Sequence, residues 1–79
     1  MIVDGFEKCV CPDGRVGVCD VTTWGTYYVP GDGDGFQWHR GQRIAATSYG
    51  AFGEDAYWAK RNYQHWLERA KQACKELGL

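Results

Sequence analysis

The stretch from Glu54 to Leu77 contains neither glycine nor proline, whereas the chain before it is punctuated by glycine throughout. That contrast constrains the fold more than any other feature. Within the stretch, Ala56, Ala59, Tyr63, Trp66, Ala70, Ala73 and Leu77 recur at alternating spacings of three and four, and Leu67 and Cys74 widen the stripe. This is the period of one helix face. It predicts an amphipathic helix over 54–77, about six turns long. Glu54 and Asp55 at its start and Lys71 and Lys75 near its end complement the helix dipole, and Gly78 is a natural stop. Four alanines on the stripe let the helix lie close to a sheet.

The glycine-rich part reads as that sheet. Phe6–Cys11 and Val16–Val21 flank Pro12-Asp13-Gly14. Proline sets φ at the first corner of a type I turn and Gly14 supplies a left-handed residue after it, so a β-hairpin bulged at the glycine is expected. Val10 then faces Val16 and Lys8 faces Val18. Phe6, Val10, Val16 and Val18 share one face, and Cys9, Cys11 and Cys19 the other. Thr22–Val29 has strand composition, with Gly25 as a candidate bulge. Residues 30–35 are a loop, and Phe36, Trp38 and Arg40 alternate onto one face. Gly41-Gln42 turns the chain before 43–48, and 49–53 is a connection. The expected fold is α+β: one domain over 1–79, with a three- or four-stranded antiparallel sheet (about 6–48) and one long C-terminal helix packed on one face.

The chain has 79 residues, 44% hydrophobic and 24% charged, which is the composition of a globular domain. Nine Lys+Arg stand against ten Asp+Glu, a net charge of −1. That balance lacks both the basic excess of a non-specific nucleic-acid binder and the acidity of a DNA mimic. No apolar run approaches the ~18 residues of a membrane span. The first residues lack a basic region followed by an apolar core, so no signal peptide is expected. The expected location is cytoplasmic, with reduced thiols. Twelve aromatic side chains exceed what so small a core hides, so some are expected at the surface, where they are candidate contacts.

Cys9, Cys11 and Cys19 with distant Cys74 form the candidate metal or redox set. A zinc knuckle ordinarily places two residues between its cysteines, whereas Cys9-Val10-Cys11 has one, and Cys74, His39 or His65 would have to complete the site. The alternative is four cysteines acting as small apolar side chains, with Cys74 between helix and sheet. Asp32 and Asp34 resemble the start of a calcium loop, but its twelfth position, which requires glutamate, is Arg43. No local grouping of nucleophile, base and orienting residue exists. Neither enzymatic activity nor a cofactor is expected.

Two surfaces stand out. At 100° per residue Trp58 lies well off the apolar stripe, on the side of Arg61, His65 and Arg69, with Tyr57 at the edge. Tyrosine, tryptophan and arginine dominate binding hot spots. The competing reading folds Tyr57 and Trp58 back over Phe52, Tyr49 or a strand end as a lid on the core. The second surface is His39, Arg40 and Arg43, which with Lys60 and Arg61 would form a modest basic stripe beside Trp38, Tyr27 and Tyr28, a candidate single-strand nucleic-acid patch. Against it, residues 1–53 carry four Lys+Arg and six Asp+Glu.

A short chain, a glycine-punctuated hairpin sheet, the segment Tyr49-Gly50-Ala51-Phe52-Gly53-Glu54-Asp55-Ala56 and a long terminal helix together give an outline. That outline resembles the small inhibitor proteins of bacteriophages and mobile elements, anti-CRISPR proteins included. The resemblance implies a non-enzymatic protein-binding module in the bacterial host cytoplasm that blocks a protein surface, with a CRISPR-Cas or other defence subunit as target. It carries no functional residues over. The alternatives are a small nucleic-acid-binding domain and a cysteine-based metal or redox protein. An exposed helix face or open sheet edge also suits a homodimer.

Overall fold

Gly14 adopts φ +91, and the turn closes through Gly14 N–H on Cys11 O (2.8 Å) and Cys11 N–H on Arg15 O (2.7 Å). The two strands it joins, β2 (Phe6–Val10) and β3 (Val16–Asp20), pair in the expected register, Val10 opposite Val16 and Lys8 opposite Val18. This hairpin belongs to an antiparallel meander with β1 (Ile2–Val3), β4 (Thr26–Tyr28), β5 (Phe36–His39) and β6 (Gln42–Ala45), in the order β1-β2-β3-β4-β5-β6. Helix α1 spans Ala56–Glu76. The computed structural model describes residues 1–22, 25–47, 50 and 52–79. The strand expected at Thr23 and Trp24, the strand end at Ser48 and the connection through Tyr49 and Ala51 lie outside the described residues.

The class is α+β as expected, but the sheet has six strands rather than three or four. Two tight turns account for part of the difference. Asp4-Gly5 joins β1 to β2 and Arg40-Gly41 joins β5 to β6, each a two-residue loop with both φ values positive (50 and 84; 50 and 78). These are type I′ turns, whose twist matches that of the flanking strands. Asp4-Gly5 extends the sheet to Ile2, ahead of its expected start at Phe6. Arg40-Gly41 removes Arg40 from the Phe36–Trp38 face.

Residue alternation gives the sheet two different faces. Phe6, Val18 and Tyr28 point to α1 and meet Trp66, Ala70, Ala73 and Cys74, with Phe52 and Ala46 closing the cluster. The helix crosses β2, β3 and β4. Val10 and Val16 share the face of Phe6 and Val18 as expected, but are 69% and 45% exposed. Of the four stripe alanines, Ala70 and Ala73 are buried at the contact, Ala59 packs half-buried against it, and Ala56 is exposed.

Trp66 organises the layer. Its ring lies 5.6 Å from Phe6 and 5.7 Å from Phe52, and its Nε1–H donates to Asp20 Oδ2 at 2.8 Å. It passes so close to the sheet end that a Cβ on Gly35 would stand 2.3 Å from the ring, so only glycine fits there.

The other face buries Cys11, Val29 and Phe36 beside Cys9, Tyr27 and Trp38. No helix lies on it among the described residues. Instead the Arg43 and Arg15 guanidiniums lie over the Phe36 ring at 4.6 and 5.7 Å, and Asp32 pairs with both (3.2 and 2.9 Å). Two stacked cations sharing one carboxylate thus roof a small apolar cluster.

Candidate functional site

The first turns of α1 are fixed by Asp55, the N-cap, whose Oδ1 accepts from Trp58 N–H at 3.1 Å. The next two side chains project away from the sheet. Tyr57 is 63% exposed and Trp58 57%, their rings edge to face at 5.1 Å. The lid reading of these two is therefore corrected. Phe52 fills that role, packed against Tyr63 and Trp66 at 5.5 and 5.7 Å, with its carbonyl accepting from Asn62 Nδ2 at 3.0 Å.

Of the residues expected beside Trp58, Arg61 and His65 are exposed on the same helix face. Arg69 is placed differently. Its Nε–H donates to Asp4 Oδ2 (2.9 Å), its Nη2–H to Asp4 O (3.0 Å), and the guanidinium lies 5.6 Å from the Phe6 ring centroid. It ties the β1–β2 turn to the helix rather than facing outward beside Trp58.

Lys60 and Gln64, which stand outside the expected contact set, complete the surface. With Tyr57 and Arg61 they line a cleft of about 290 Å³. Lys60 and Gln64 also wall a second cleft of about 630 Å³, floored by Ala56, Ala59, Tyr63 and Leu67 and rimmed by Asp34 and Glu54. The spacing 57, 60, 61, 64 is a helix i, i+3, i+4, i+7 series, and that signal was present in the sequence. Tyr63 anchors the wall of the larger cleft: its hydroxyl accepts from Gly35 N–H (2.9 Å) and donates to Asp34 Oδ1 (3.0 Å).

The expected nucleic-acid patch does not assemble on one face. Trp38 and Arg43 share a face by register, while His39 is on the other and Arg40 is in the turn. Arg43 is engaged by Asp32 and stacked on Phe36. Tyr27 stacks on Phe36 at 5.8 Å, and Tyr28 is buried against the helix, its hydroxyl donating to Asp32 O at 3.3 Å. The Trp38 indole N–H is buried without a partner among the described residues.

Cys9, Cys11 and Cys19 do gather on one sheet face, with Cys9 packed against the cluster that buries Cys11. Burial, then Cys19 and Cys11, pushes the Cys9 thiol up to about 12. Burial also raises Cys11 and, within the helix–sheet core, Cys74. At neutral pH Cys9, Cys11 and Cys74 are protonated, whereas the thiolate is the nucleophile and the metal ligand. Among the described residues no group of three His, Cys, Asp or Glu is arranged to hold a metal ion, and no helix is long and apolar enough to cross a membrane. Comparison of the chain with protein-family models, with curated proteins and with solved structures returns no match.

Proposed function

We propose that this protein is a binding module without chemistry of its own, which acts by covering a surface of another protein with the first half of α1. One observation carries the reading. Tyr57 and Trp58, each more than half exposed, stand next to Lys60 and Arg61, for which the described residues supply no carboxylate. Large rigid aromatic side chains beside arginine supply contact area at low entropic cost, and truncating such an anchor commonly costs 2 kcal/mol or more of binding. The outline shared with small phage inhibitors supports the narrower proposal that the covered surface belongs to a bacterial defence complex. In that reading the protein works in the host cytoplasm.

The test is capture by the tagged protein from nuclease-treated bacterial lysate, run in parallel with Trp58→Ala and Arg61→Glu. A stoichiometric protein partner is expected on the parent chain, bound at least ~10-fold more weakly by each variant. Melting temperatures should be unchanged. Equal retention by all three proteins would overturn the proposal.

A further inference from the structure

The two clefts on α1 differ in chemistry and share a wall. The smaller offers Lys60 Nζ, the Arg61 guanidinium and the Gln64 amide beside the Tyr57 ring. The larger offers an apolar floor of Ala59, Tyr63 and Leu67. Charge is segregated along the chain in the same sense. Helix 56–76 carries five Lys+Arg and two Asp+Glu, a net of +3, while residues 1–55 carry four and eight, a net of −4. Among the described residues the ion pairs engage Arg15, Arg43 and Arg69 and leave Lys60 and Arg61 without one. Asp34 and Glu54 line the larger cleft and make it the more acidic of the two.

We propose that the partner presents a short acidic segment in which an aspartate or glutamate neighbours a large apolar residue. Its carboxylate docks between Lys60 and Arg61, and its apolar side chain crosses the Lys60–Gln64 wall into the groove over Ala59 and Leu67. This deepens the binding reading above and rests on it. Charge complementarity fixes the orientation, since the reverse placement would set the carboxylate against Asp34 and Glu54. The same carboxylates disfavour a nucleic acid. Glu68, about 10 Å along the helix from Arg61, further interrupts any track for successive phosphates.

A labelled octapeptide of alternating leucine and glutamate is the probe, read by fluorescence anisotropy. The comparison ligands are a leucine–serine octapeptide and a single-stranded oligothymidylate. The parent protein should bind the leucine–glutamate peptide at least ~10-fold more tightly than either. Lys60→Glu with Arg61→Glu should remove the preference for glutamate over serine. Ala56→Glu, at an exposed first-turn position that tolerates an acid, should weaken both peptides by narrowing the groove. Equal binding of the two peptides, tighter binding of the oligonucleotide, or no peptide binding would overturn the inference. A partner captured through Trp58 and Arg61 but indifferent to Lys60→Glu would overturn it too, and would leave the binding reading standing. Peptide binding with the expected preference, alongside capture that ignores Trp58, would sink the binding reading and retain the cleft assignment.

Discussion

Asp20 shows how much one side chain can settle in so small a domain. Its carboxylate is buried and accepts from Trp66 Nε1–H (2.8 Å), Thr22 N–H (2.8 Å) and Thr22 Oγ1–H (2.6 Å). A buried charge survives only when its lone pairs are occupied, and here the donors come from both the turn after β3 and the helix. Removing the carboxylate strips the Trp66 indole of its acceptor inside the core. Asp20→Ala is therefore expected to cost about 2–3 kcal/mol by chemical denaturation, and Asp20→Asn, which keeps one acceptor oxygen, less than half of that. A loss below about 0.5 kcal/mol, the range of ordinary surface substitutions, would contradict this account. Nothing in the sequence pairs Asp20 with Trp66, 46 residues apart. The contact exists only once the hairpin register and the helix face are both in place.

At the scale of the element, the helix was legible and the sheet only half so, for a physical reason. A 3.6-residue period repeated over 21 residues fixes which side chains are inward almost regardless of local detail. Strands of two to five residues carry too little period to count them by. Where a strong turn signal existed, at Pro12-Asp13-Gly14, even the register was readable; where the turn began with Arg40, the next strand's face was not. Arg43 shows the cost. Its partner Asp32 is eleven residues away in a loop, so sequence alone offered it as a free cation. The helix faces themselves yield a direct contrast between two tryptophans of one element. Trp66 is 3% exposed and Trp58 57%. Trp66→Ala should cost about 3–5 kcal/mol, while Trp58→Ala should stay within about 0.5 kcal/mol, measured by denaturant melts of the two variants. A large loss at Trp58 would return it to the core and remove the anchor from the proposed binding face.

For the whole molecule, the two apolar layers hold an unusual number of thiols and phenols, and burial shifts them in one direction. Cys9 is pushed up to about 12, and Cys11, Cys74, Tyr27, Tyr28 and Tyr63 are all raised, burial being the largest cause in each case. In the unfolded chain the thiols would ionise near their ordinary value of 9.0 and the phenols near 10.0. Above about pH 8 the unfolded state therefore binds fewer protons than the folded one, and stability falls as pH rises. The contribution is complete below that range and is lost progressively toward pH 12. Thermal melts in reducing buffer from pH 7.5 to 10.5 should show a steadily falling melting temperature. Cys9→Ala should flatten the early part of that fall, because Cys9 carries the large shift that begins near pH 9. An alkaline limb identical in parent and variant would show that the thiol layer is not responsible. The direction of these shifts also bears on the rival readings of the molecule. A site that works through thiolates, whether on a metal or on a disulfide, draws strength from a lowered thiol pKa. Here the fold favours the neutral thiol at three of the four cysteines. Its sulfur accordingly serves as apolar packing, between strands and helix at Cys74 and in the opposite layer of the sheet at Cys9 and Cys11.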